Sequence, residues 1–192
     1  MEQLARVPAP RSRVYYLTAE EMHFKITVTL CASRVHRWIR TVKRDFLDTA
    51  TVKCVGLNCE FTNPREGRDN QRAAVLQLSV ETENLVFQIF WADEVEQLLK
   101  DFLQDKTIIF CGADIGKDVE MLCSYGIDIL SGFDLQMIIP NPTKNLILSM
   151  YDLANSTIRT KLEKKKKKMN RDKKKNTKKD DEEEEEEEEL IF

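Results

Sequence analysis

Between positions 52 and 135 the spacing of apolar residues leaves few folds open. Three strand-type stretches follow one another: residues 52–61 (VKCVGLNCEF), 73–80 (AAVLQLSV) and 85–90 (LVFQIF). Short apolar, β-branched runs bounded by turn residues read as strands. Residues 81–84 join the second and third as a hairpin, and Asn63-Pro64 with the polar stretch up to Gln71 forms a loop. The period then alternates. A helix opens at Ala92-Asp93 and carries Val95, Leu98, Leu99 and Phe102. A buried strand at 107–111 ends at Gly112. A helix at 115–125 meets its C-cap at Gly126, and a short strand lies within 127–135. Adjacent strands followed by βαβ units predict a mixed sheet covered by helices.

Upstream, residues 1–13 read as a flexible lead with two prolines, and residues 24–30 (FKITVTL) as a strand. Val35, Trp38, Ile39, Val42 and Phe46 then fall on one helical face, with Ser33 as N-cap and His36 and Arg37 facing solvent. Asn141-Pro142 marks a break, and 147–162 is a weaker helical segment. After Thr160 nothing can build a core. Lysine blocks at 164–168, 173–175 and 178–179 precede Asp180, Asp181 and eight consecutive glutamates. Runs of like charge stay solvated. The chain therefore divides into a lead at 1–13, one α/β domain at 14–160 and a low-complexity tail at 161–192. That order of elements is the plan of RNase H-like folds, and other α/β domains satisfy it too.

The charge balance restricts partners only locally. Residues 161–192 carry 12 basic and 12 acidic residues, so the net −3 of the 192-residue chain belongs to the first 160. A nucleic-acid binder of this composition needs a local basic patch. The lysine blocks read either as a nuclear localisation signal or nucleic-acid contact, or as a solvated end without a specific partner. No apolar run reaches the roughly 20 residues of a membrane span, and MEQLARVPAPRSR has no apolar core of a secretory signal. These features predict an intracellular protein, in nucleus or cytoplasm. The Asn155-Ser156-Thr157 acceptor sequence then has no glycosylating route. The odd set Cys31, Cys54, Cys59, Cys111 and Cys123, without CxxC spacing, predicts reduced, buried core thiols. With only His23 and His36 available, zinc is not expected.

The stretch VGLNCEF carries the chemistry. On a strand Asn58 and Glu60 share a face while Cys59 points the other way. An acid-x-acid pair there would offer two carboxylates to metal ions, as two-metal phosphodiester hydrolysis requires; oxygen ligands suit Mg²⁺ or Mn²⁺. Together, VGLNCEF, NQRAAVLQLSVETENLVFQIF and FCGADIGKDVEML resemble the 3′–5′ exonuclease domain of the DEDD superfamily, and are most similar to small Werner-syndrome-type exonuclease proteins of plants. The resemblance covers residues 15–162, including HFKITVT and RVHRWI. It implies an RNase H-like fold, single-stranded or 3′-ended nucleic acid as partner, and hydrolysis from 3′ ends.

Carried over position by position, the resemblance gives Glu60 the role of a metal ligand that orients the attacking water. It makes Asp118 a ligand on the helix after the strand. Asn58 stands where the family has its first, bridging Asp. The family's last Asp and water-positioning Tyr, on a Tyr-x-x-x-Asp helix, have no counterpart: residues 150–161 (MYDLANSTIRTK) resemble the helix before it, and the resemblance stops there. Two of four carboxylates remain, so binding of Mg²⁺ or Mn²⁺ is expected to be weak or absent and catalysis weakened or lost. A non-catalytic nucleic-acid- or protein-binding module, or a truncated product, are the alternatives. Asp114 and Asp134 read as capping or loop acids. GADIGKD has neither P-loop nor dinucleotide spacing. Trp38, Trp91 and Phe61 read as core or rim aromatics, with Phe61 nearest a substrate groove by resemblance.

Overall fold

The computed structural model describes residues 11–19, 21–63, 71–137 and 154–155. The expected break at 141–142, the helical segment at 147–162 apart from residues 154–155, the charged tail, most of the lead and most of the 63–71 loop lie outside them. The chain forms β1 (Ser12–Ala19), β2 (Met22–Thr29), α1 (Ala32–Val42), β3 (Lys53–Phe61), β4 (Ala73–Val80) and β5 (Glu83–Phe87). It continues with α2 (Gln97–Leu103), β6 (Ile108–Gly112), α3 (Ile115–Leu122) and β7 (Gly132–Asp134). One seven-stranded sheet has the order β1-β2-β5-β4-β3-β6-β7. Pairs β3–β4 and β4–β5 are antiparallel; β3–β6, β6–β7 and β2–β5 are parallel. This is the mixed sheet with flanking helices expected of an RNase H-like fold.

Strand alternation decides which side chains meet the helices. Val55, Leu57 and Cys59 of β3, Leu76 and Leu78 of β4, Leu85 and Phe87 of β5, and Ile108 and Phe110 of β6 are buried. They form one cluster with Val35, Trp38, Ile39 and Val42 of α1, Leu99 and Phe102 of α2, and Ile115 and Leu122 of α3. Phe102 joins two layers, meeting Trp38 edge-on at 6.4 Å and Phe110 at 5.8 Å. The opposite face carries polar cross-strand pairs: Asn58 with Gln77, Ser79 with Asn84 and Cys54 with Cys111.

Four expectations are corrected. The lead was to reach residue 13, but β1 begins at Ser12 and pairs along its length with β2. Its apolar residues are consecutive rather than alternating, because most of it is exposed at the sheet edge. Ser33 does not cap α1. Cys31 is the N-cap, and the Asp93 carboxylate accepts from the Ala32 N–H at 2.8 Å, supplying the cap from a distant loop. Committed there, and to Arg11 at 3.2 Å, Asp93 does not start α2, which begins at Gln97 after a 3₁₀ turn at Ile89–Trp91 that also shortens β5. Of the five cysteines only Cys59 is buried; Cys54 and Cys123 are exposed.

Gly112 closes β6 where β6 lies hardest against β3. A Cβ there would sit 2.5 Å from the Leu57 carbonyl oxygen and 3.5 Å from Ile115. A backbone oxygen cannot rotate away as a side chain can. Gly112→Ala is expected to cost about 1–3 kcal/mol through forced separation of the strands, read as a lower denaturation midpoint at an unchanged m-value. A midpoint equal to that of the unmodified chain would show that β6 withdraws freely.

Candidate functional site

The chain leaves β3 toward β4 and β5 on one side, and crosses from β5 to β6 and β7 on the other. The strand order therefore reverses between β3 and β6. In open α/β sheets, ligands bind in the crevice outside the carboxyl ends of the strands at such a reversal. The pairing shows the crevice directly. β6 follows β3 only from Lys53 to Gly56, while β3 stays paired to β4 as far as Phe61. Residues 57–61 thus have no partner strand on the β6 side among the described residues. The register with β4 shifts between Glu60 and Phe61, an irregularity of the kind that re-aims side chains beside functional sites.

Asp118 occupies this gap. It sits on the first turn of α3, whose start is fixed by Asp114 in the left-handed region at φ 58°. Asp114 is a tolerated residue type there, since Asp enters that region more readily than most. Its N–H reaches the Asp134 carboxylate at 3.3 Å, which also accepts from the Gln136 N–H at 2.9 Å. Asp118 is 4% exposed. Burial pushes its pKa up to about 7, the Cys59 backbone hydrogen bond pulls the other way, and the charges of Asp114 and Glu60 push it up further. Cys59, also buried, has its thiol raised by burial and then by the Asp118 and Glu60 charges.

Glu60 is exposed on the face of β3 turned from the helices. Asn58 shares that face and donates from Nδ2 to Gln77 Oε1 at 3.2 Å. The Glu60 charge nonetheless reaches Asp118, whereas the Asn58 amide is tied to β4. Lys117 Nζ stands 4.5 Å from the centre of the Phe61 ring, a cation–π contact that spans from α3 to the end of β3. Phe61 is half-buried beside the crevice, Trp38 is core, and Trp91 is a rim residue, 72% exposed.

The sequence reading did not place Gln77, Lys117 or the influence of Asp114 at this site. The Asp134 carboxylate holds loop backbone as expected of a capping acid; Asp114 takes the N-cap position without a side-chain cap hydrogen bond, and its charge bears on Asp118. No spacing rule links these positions; only the folding of β6, α3 and β7 brings them together. Among the described residues no group of three or more His, Cys, Asp or Glu could hold a metal ion. A pair of divalent ions about 3.5–4 Å apart needs several anionic oxygens. Glu60, Asp118 and Asn58 supply an exposed carboxylate, a buried one and an amide, which does not fit such a pair.

A family model described as 3′–5′ exonuclease matches residues 40–181. No curated protein matches the chain. Among solved structures, the EXD2 exonuclease domain soaked in Mg and dGMP aligns at TM-score 0.51 and 19% identity, covering 79% of this chain and 77% of that one. The same domain soaked in Mg and GMP aligns at 0.48 and 21%, covering 71% of each. Soaked in Mn it aligns at 0.49 and 21%, covering 70% of this chain and 69% of that one. The first of these alignments supports the fold. Among the described residues no helix is long and apolar enough to cross a membrane.

The raised Asp118 pKa sets a pH dependence. The folded state holds this proton more tightly than the unfolded chain, where the ordinary value is 3.8. The group therefore costs nothing below the ordinary value. It destabilises progressively as pH rises, with the penalty complete above about 7. Asp118→Asn removes the charge and keeps the shape. Its melting temperature is expected to exceed that of the unmodified chain by ~2–6 °C at pH 8 and to match it at about pH 3, below the ordinary value; equal melting temperatures at pH 8 would show that the carboxylate is not penalised.

Proposed function

We propose, for a chain that belongs to the 3′–5′ exonuclease family, that it is a nuclease-fold protein that engages the 3′ end of a single-stranded nucleic acid at the β3–β6 crevice and hydrolyses it weakly or not at all. The observation that carries this reading is the state of position 58. Asparagine offers a neutral carbonyl oxygen where a carboxylate would bind a bridging cation, and its amide is hydrogen-bonded to Gln77. Glu60 and Asp118 are the two family carboxylates retained. Carboxylate charge concentrates divalent ions and makes hydroxide available near neutral pH, so each missing charge lowers both ion affinity and rate. A single Mg²⁺ or Mn²⁺, were one to bind, would be held weakly by Glu60 and Asp118 and would supply polarisation of a phosphate oxygen.

The residues present contribute mainly binding. Phe61 and Lys117 stand together at the mouth of the crevice, one an aromatic surface and the other a cation for a phosphate. The likeness to plant Werner-syndrome-type exonucleases, the end of that likeness before a Tyr-x-x-x-Asp helix, and an intracellular location belong to this same proposal. So does a role for the lysine blocks as nucleic-acid contact or nuclear address. The other reading, a module that binds a protein and no nucleic acid, has no observation in its favour beyond the depleted site.

The test is the steady-state release of label from a 3′-labelled single strand in Mg²⁺ and in Mn²⁺. The unmodified chain is expected within about 10-fold of Asp118→Asn. Asn58→Asp is expected to recover only a small part of full activity, because catalytic groups that act as a unit are strongly non-additive. Rapid metal-dependent release by the unmodified chain, abolished in Glu60→Gln, would overturn the depleted-site reading.

A further inference from the structure

We propose that Cys54 and Cys111 form a redox-modification site, two thiols that close to a reversible disulfide between β3 and β6. Their Sγ atoms stand 2.8 Å apart, against about 2.0 Å in a disulfide. The register accounts for the approach. Cys111 pairs across the sheet with Gly56, and Cys54 with Ile109. Gly56 has no side chain, so the Cys111 thiol leans along the same face toward Cys54. The Cys111 thiol also reaches the Val55 carbonyl at 3.6 Å; the thiols of Cys31 and Cys123 reach the Arg11 and Val119 carbonyls, and Cys59 is buried. Cys54 is exposed and Cys111 half-buried, on the face away from the core, so a small oxidant reaches the pair without unfolding. Burial, then the neighbouring Cys54, holds the Cys111 thiol up at about 12, which makes Cys54 the entry point.

With glutathione disulfide as oxidant, the Cys54 thiolate attacks one of its sulfurs and a glutathione thiolate leaves. Cys111 then loses its proton to solvent, its sulfur attacks Cys54 Sγ, and the second glutathione leaves. Two protein thiols are oxidised and one glutathione disulfide is reduced to two glutathiones. The bond would join residues 57 positions apart and tie the strand that carries Asn58 and Glu60 to the one that leads to Asp118.

The full chain is equilibrated in buffers of graded glutathione to glutathione-disulfide ratio, trapped with N-ethylmaleimide and digested without reduction. The expected product is a Cys54–Cys111 linked peptide, two hydrogens lighter than its separate halves. The oxidised chain should melt ~5–10 °C above the reduced one. Cys111→Ser should stop at a glutathione adduct on Cys54, with no linked peptide and no such gain. Maleimide on both Cys54 and Cys111 at every ratio, or glutathione retained on Cys54 of the unmodified chain beside a free Cys111, would overturn the proposal.

Discussion

The candidate site depends on how close two parallel strands can come before they part. β3 and β6 run together as far as Gly56 and Cys111, and at the next position Gly112 lies so near the Leu57 carbonyl that no side chain fits. Beyond that point the strands diverge, and the freed edge of β3 faces the first turn of α3. Everything at the crevice inherits its position from this contact: the Cys59 amide that faces Asp118, the left-handed turn at Asp114, and the placement of Lys117 over Phe61. A glycine at the end of a strand is here a steric requirement, because the strand pair sets where the helix may begin.

Placing Asp118 in that gap has an electrostatic price. The carboxyl is nearly excluded from water, and two further acids bear on it while the Cys59 backbone amide and the Lys117 charge offset them only in part. Such a group favours its proton near neutral pH, or a cation in the proton's place. A site with its full set of carboxylates meets the same repulsion with divalent ions. With Asn58 turned to Gln77, the remaining charge is smaller, and so is the pull on an ion. On the proposed reading, an amide at position 58 adds no further repulsion to that borne by Asp118 and offers no charge to an ion.

The interior of the sheet was legible in the sequence. Residues 52–61, 73–80 and 107–111 each occupy strands within a residue or two of their expected bounds, because a strand packed against helices must show its burial in its pattern. The α1 stripe through Val35, Trp38, Ile39 and Val42 was legible for the same reason. The failures lie where the deciding partner is remote. Asp93 looked like the start of α2 and instead terminates the backbone of α1; β1 lacked alternation because most of its length is open to solvent. The crevice itself was half legible. Glu60, Asp118 and Asn58 were singled out by motif, while Gln77 and Asp114 became part of the site only through register and crossover.

The N-terminal hairpin has a consequence for the order in which the molecule can assemble. β2 joins the sheet only through β5, with Lys25 opposite Glu83, so its sheet partner is made some sixty residues later. A two-stranded ribbon is marginally stable alone, and non-local parallel pairing is slow to form. β1, β2 and α1 precede β5 in the chain, so the apolar stripe of α1 is not fully covered until Phe87 is available to pack on it. The β1–β2 ribbon is therefore the part of the sheet whose closure waits longest for its partner, although in the finished molecule it lies at the edge furthest from the crevice.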